Sequence, residues 1–152
     1  MVVRQLGLSL IELMIAVTII GILALVAMPY TQSWLYETQL SEAKAKLNRA
    51  YAEAKALALR NPIDAHEEHT PSSCISLKNN TLQVRQPNGS SCSGVLSWQD
   101  SWPDGVKVVN NNKNLTSIFI NNRGALLINH TPINTNLEYA LSKGTVNDIG
   151  QL

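Results

Sequence analysis

Charge is scarce in this chain. Asp, Glu, Lys and Arg make up 15% of 152 residues, below the usual quarter. With 12 Lys+Arg against 11 Asp+Glu the formal charge is +1, so no global basic field exists to attract nucleic acid. There is no Gly-rich phosphate loop, no nucleophile elbow and no pair of carboxylates in a convincing setting, so nothing supports an enzyme. Only two cysteines occur, Cys74 and Cys92, and neither belongs to a CxxC. His66-Glu67-Glu68-His69 lacks the HExxH spacing of a helical zinc site and lies between Pro62 and Pro71, which reads as a solvated loop. His130 has no companion, and no pattern calls for a metal or cofactor. Apolar residues still reach 45%, which excludes a wholly disordered chain.

What is present is unevenly distributed. Residues 8 to 28 carry one ionisable side chain, Glu12, while the stretch from Asn61 onward is crowded with Asn, Ser and Thr. As a helix, residues 8 to 28 are long enough to span a bilayer core of about 30 Å. A secretory signal has a shorter apolar region, about 7–15 residues, and no small-x-small cleavage site follows here. Pro29 comes next, then Tyr30, Trp34 and Tyr36, aromatics suited to a membrane–water interface. Arg4, the only charge before the span, points to a cytoplasmic N-terminus. An ionised Glu12 inside hydrocarbon costs roughly 2.5–3.5 kcal/mol, so it needs either the membrane edge or a cationic partner. No cation lies within helical reach inside the segment, so such a partner belongs to another molecule.

Gly7-Leu8-Ser9-Leu10-Ile11-Glu12-Leu13-Met14-Ile15 resembles the prepilin motif of type IV pilins and type II secretion pseudopilins. The resemblance implies cleavage between Gly7 and Leu8 by a prepilin peptidase and methylation of the new amine on Leu8. It makes Glu12 the fifth mature residue, an acid used in subunit assembly. Gly21 and Pro29 match the Gly and Pro of the family's helix, where they imply local flexibility. Leu8 departs from the commoner Phe. The physics agrees: the Leu8 amine of one subunit would neutralise Glu12 of its neighbour where an unpaired charge is penalised. Pro29 would remove the hydrogen bond to the Leu25 carbonyl and invite a bend.

Beyond Pro29 the pattern is amphipathic. Leu40, Ala43, Leu47, Ala50, Ala54 and Leu57 trace one stripe, with Glu42, Lys46, Arg49, Glu53 and Arg60 opposite. Pro62 ends the helix, giving Leu8 to Arg60 as roughly 80 Å of nearly continuous helix. The remainder reads as β. Asn79-Asn80 is the turn of a hairpin that sets Leu77 against Leu82 and Ile75 against Val84. Further strands are expected at Val95–Trp98, Val106–Val109, Ser117–Ile120, Ala125–Ile128 and Leu137–Leu141, with Asn121-Asn122-Arg123-Gly124 as a turn between two of them. The expected fold is α+β, one long helix packed by its C-terminal half on an antiparallel sheet. Four segments follow: a leader 1–7, a membrane or filament-core helix 8–28, an amphipathic continuation 29–61, and a periplasmic or extracellular head 62–152.

A weaker likeness narrows the family. Ala52-Glu53-Ala54 to Asn61, Trp102-Pro103-Asp104-Gly105-Val106 and Ile118-Phe119-Ile120 leading to Gly124 resemble minor pilins and pseudopilins of the FimT/GspH type. A head outside the cytoplasm implies that Cys74 and Cys92 pair. Many major pilins carry their disulfide near the C-terminus, whereas this pair is mid-chain. The implied partners are other pilin subunits, the prepilin peptidase/methyltransferase, the inner-membrane assembly machinery, and the membrane before assembly. Nucleic acid is disfavoured: Lys78, Arg85, Lys107, Lys113, Arg123 and Lys143 are dispersed, and Gly144 to Leu152 carries no Lys or Arg. The rival classes are a pseudopilin, an uncleaved membrane-anchored binding domain, and a DNA receptor. Sequon-like triplets at Asn79, Asn88, Asn114 and Asn129 arise by chance in so Asn-rich a chain.

Overall fold

The computed structural model describes residues 9–111, 113–133 and 136–152, with only the backbone described at Met28, Pro29 and Tyr30. One helix, α1 (Leu10–Arg60), precedes ten strands: β1 (Pro71–Lys78), β2 (Thr81–Arg85), β3 (Leu96–Ser101), β4 (Lys107–Asn110), β5 (Lys113–Asn114), β6 (Ser117–Asn121), β7 (Leu126–Ile128), β8 (Thr131–Ile133), β9 (Glu138–Lys143) and β10 (Val146–Gln151). The chain divides into two compact units, one ending at Leu35 and the other Tyr36–Leu152. The second, the head, holds the whole β structure and the C-terminal half of α1.

Within the head the helical stripe is the core. Leu40, Ala43, Leu47, Ala50, Ala54 and Leu57 are all buried, joined by Ala58. Small residues let β1 approach closely: the Ser73 hydroxyl donates to the Ala54 carbonyl at 2.7 Å and that of Ser72 to the Ala58 carbonyl at 3.1 Å. Arg60 ends the helix because Asn61 takes a left-handed conformation (φ 47°), which Asn tolerates better than most residues. Its side chain fixes the exit, accepting from the Ala65 amide at 2.8 Å beside the Ser72 hydroxyl, 3.1 Å away.

The first hairpin has the register that the sequence predicts, Leu77 opposite Leu82 and Ile75 opposite Val84. Asn79 and Asn80 both have positive φ, 51° and 54°, the requirement of a two-residue type I′ turn. The other expected strands form with shifted ends, and β5, β8 and β10 are added. There are two sheets where the sequence suggests one: β3-β2-β1-β6-β7-β8 and β10-β9-β4-β5. Both face the helix and share one apolar core, including Ile75, Val84, Trp102, Val108, Ile118, Ile120, Tyr139 and Leu141. Trp102 anchors the link between β3 and β4, donating from its indole to the Val106 carbonyl at 2.9 Å across a turn whose Gly105 has φ 71°.

Lys46 departs from its expected solvated place. It occupies one acceptor on the free edge of β3, donating to the Ser101 carbonyl at 2.8 Å, with Glu42 at 2.8 Å and Asp100 at 3.7 Å. Lys44 does the same for β10, donating to the Ile149 carbonyl at 3.1 Å and pairing with Asp148 at 2.9 Å.

β10 fits against β9 because Gly150 lies opposite Tyr139. A Cβ at Gly150 would come within 2.3 Å of the ring of Tyr139, which is buried and cannot swing away. Gly150→Ala is therefore expected to lower head stability by about 1–3 kcal/mol, as overpacking does, read by thermal denaturation. The same corner sets an alkaline limit. Burial raises the Tyr139 phenol above its ordinary value, and the hydrogen bond to Asp148 raises Lys44 above its own. A folded pKa above the unfolded one gives stability that is complete below the unfolded value and lost as pH rises through the folded one. The denaturation midpoint should hold up to about pH 10 and fall beyond it, and Asp148→Asn should remove the Lys44 share of that fall.

Candidate functional site

The first unit contains the element that distinguishes this chain. From Leu10 to Ala27 every side chain of α1 is exposed, and the helix is long and apolar enough to cross a membrane. Its hydroxyls are satisfied internally: Thr18 donates to the Met14 carbonyl at 2.7 Å and Thr31 to that of Ala27 at 3.1 Å. Glu12 is then the one Asp, Glu, Lys or Arg from Leu10 to Tyr36. Among the described residues it forms no ion pair.

Glu12 sits in the first turn of the helix, where the positive end of the macrodipole favours an acid. Ser9 immediately precedes the helix, and its carbonyl accepts from the amides of Glu12 at 3.0 Å and Leu13 at 3.2 Å. Ser9 and Glu12 thus have the N-cap and third-position spacing of a capping box. The motif reading passed over this local function, although the Ser-x-x-Glu spacing already signals it. Gly7 and Leu8 lie outside the described residues. Gly21 is in continuous helix, and a Cβ there would meet nothing within 4 Å, so any close approach that uses its small size must come from another molecule. The helix also runs through Pro29, whose side chain lies outside the described residues.

Residues 3–28 match the family model described as the prokaryotic N-terminal methylation motif. The chain carries a type IV prepilin-like signal. That signal supports a type IV pilin or pseudopilin-type precursor, a structural subunit rather than an enzyme family, and it implies processing by prepilin peptidase and assembly with other pilins. The α+β layout of the chain is also like that of type IV pilins. An apolar helix behind a prepilin-like signal fits membrane anchoring before assembly. The match covers the N-terminal segment alone and leaves the head outside it. No curated protein and no solved structure matches the chain.

In the head, Cys74 and Cys92 form a disulfide with Cα atoms 5.8 Å apart. Cys74 is fully buried on β1, so the bond pins the loop between β2 and β3 to that strand. The loop also has its own bonds: Asn88 and Ser91 exchange both backbone hydrogen bonds, and Arg85 holds the Gly94 carbonyl at 3.0 Å. The structure does not converge His66 and His69 on a shared site. His66 lies 3.4 Å from Asp64, and the Nδ1 of His69 lies 3.1 Å from the His130 carbonyl. Of the dispersed cations, Arg85 bonds Gln83 and Gly94, Arg123 pairs with Glu68, and Lys143 bonds the Asp104 carbonyl and lies over the Tyr36 ring. Tyr36, expected in an interfacial belt, belongs to the head and packs against Gly144.

Proposed function

We propose that the protein is a minor subunit of a type IV pilus-like filament, held in the inner membrane until it is extracted into the assembly. The observation that carries the reading is one acid, Glu12, in an exposed apolar helix that is itself part of the prepilin-like signal. Its chain segments are a leader 1–7 cut between Gly7 and Leu8, a core helix 8–28 methylated on Leu8, a continuation 29–61, and a periplasmic head 62–152. Gly21 and Pro29 supply the places where that helix yields during extraction. The mid-chain disulfide and the FimT/GspH-type likeness favour a minor subunit over a major one. A pseudopilin of a type II secretion system shares every feature of the N-terminal segment and is the second reading.

The decisive measurement is the intact mass of the protein recovered from cells that contain a prepilin peptidase. The expected species begins at Leu8 and carries one N-methyl group, while Gly7→Val should leave the full chain uncut. Recovery of wild-type protein with Met1 to Gly7 intact would replace the filament subunit with a permanently anchored domain. A DNA receptor would instead show binding that weakens steeply with salt. Three of the six dispersed cations are already spent on intramolecular contacts, which weighs against it.

A further inference from the structure

Between the two sheets, where β4 stands apart from β6 and β7, lies a half-open cleft of about 320 Å³. Asn110 reaches it from β4, Ser117 and Phe119 from β6, Leu127 from β7, and Asn129 and His130 from the β7–β8 turn. We propose that this cleft binds one or two sugar rings of a neutral glycan.

Charge comes first. No Lys, Arg, Asp or Glu lines the cleft among the described residues. A phosphate, carboxylate or metal ion would lose hydration there without a counter-charge, so the occupant is neutral.

The polar groups that do line it have unspent hydrogen-bonding capacity of mixed kind. The amide of Asn110 donates to the Glu138 carbonyl at 2.5 Å, which leaves its own carbonyl oxygen as an acceptor. Ser117 and Asn129 form no side-chain hydrogen bond among the described residues. The Nε2 of His130 lies 3.2 Å from the Ser90 hydroxyl, which leaves Nδ1 for another partner. Hydroxyl groups, each both donor and acceptor, match such a set. A purely apolar occupant would strip these groups of water and leave them unpaired.

The apolar wall supplies the second half of the match. Phe119 and His130 stack with ring centroids 6.5 Å apart and planes 26° off parallel, beside Leu127. The C–H-rich face of a pyranose carries small positive partial charges and is attracted to the negative face of an aromatic ring. The site is also preformed. Asn129 and His130 both have positive φ, 50° and 62°, so a tight turn fixes them, and Ser90 on the disulfide-pinned loop braces His130. Its volume is at the low end for ligand pockets, which limits the occupant to one or two rings.

The test uses the full chain in micelles of a phosphocholine detergent, since a maltoside would itself supply sugar. Methyl-labelled Leu and Ile resonances are followed while methyl glucoside, galactoside, mannoside and N-acetylglucosaminide are added, with methyl glucuronide as the charged counterpart. At least one neutral glycoside should shift Leu127 and Ile128 saturably, with a Kd in the range of about 1–10 mM. Methyl glucuronide should bind at least about tenfold more weakly than that glycoside. Asn129 is exposed and its φ of 50° suits Gly, so Asn129→Gly keeps the turn and should leave the remaining spectrum unchanged while weakening binding at least about fivefold. Absence of saturable shifts with all four glycosides, equal binding of the glucuronide, or binding indifferent to Asn129→Gly would each overturn the assignment.

Discussion

Glu12→Ala should leave the chain in the membrane and reduce its incorporation into filaments by roughly a hundredfold or more. Removing an acid from an apolar span lowers the cost of insertion by about 2.5–3.5 kcal/mol, so membrane fractionation should detect no loss. Assembly is different, because in the proposed filament the acid faces the Leu8 amine of a neighbour in a low-dielectric bundle. Breaking one half of a buried ion pair costs about 3–5 kcal/mol, since the other charge stays buried and unmatched. At about 1.4 kcal/mol per decade that is about two to three and a half orders of magnitude. The local role of Glu12 at the start of α1 has a much smaller reach: an acid in the first turn contributes about 0.3–1 kcal/mol, a factor of two to five. Quantifying the subunit in sheared filaments against the membrane pool separates the two. A drop of only a few-fold would assign Glu12 to its own helix alone.

Loss of the Cys74–Cys92 bond should be the most damaging change in the head. Closure of an 18-residue separation is worth about 3 kcal/mol in the chain-entropy model, a large part of the roughly 5–15 kcal/mol of a typical domain. The Cys74→Ala, Cys92→Ala double variant should melt roughly 10–20 °C lower than the oxidised protein, and reduction of the wild type should approach the same midpoint. Protease cleavage should appear first between Asn88 and Ser93, where backbone bonds and the Ser90–His130 contact would then hold the loop. An unchanged midpoint would mean that those bonds and the Arg85 contact suffice.

The parts of the fold legible in the sequence are those where one physical signal acts alone. The stripe from Leu40 to Leu57 is a single periodicity, and every member is buried. The β1–β2 hairpin combines alternation with a two-Asn turn, and its register follows from the pair. β10 was hidden because Asn147, Asp148 and Gly150 are poor strand formers. It becomes a strand through partners distant in sequence, Tyr139 over Gly150 and Lys44 on Asp148. β8 was hidden by Pro132, tolerated because the strand lies at a sheet edge. The split into two sheets was hidden too, since β1 pairs with β6 rather than with a sequence neighbour on that side. Glu12 and Gly21 stand out in the sequence through the motif they belong to, whereas the cleft beside Phe119 brings together residues from Asn110 to His130 that only the sheet topology makes neighbours.

Two of the lysines on α1 bear on how heads would meet if subunits were crowded side by side. Lys44 and Lys46 occupy backbone acceptors on β10 and β3, the strands through which each sheet could otherwise recruit a stranger. The opposite borders are β5, of two residues, and β8, of three with a proline at its centre. Neither offers length enough for strand-to-strand templating. In the proposed filament these features would disfavour strand pairing between adjacent heads and favour recognition through side chains, which is specific to sequence and reversible.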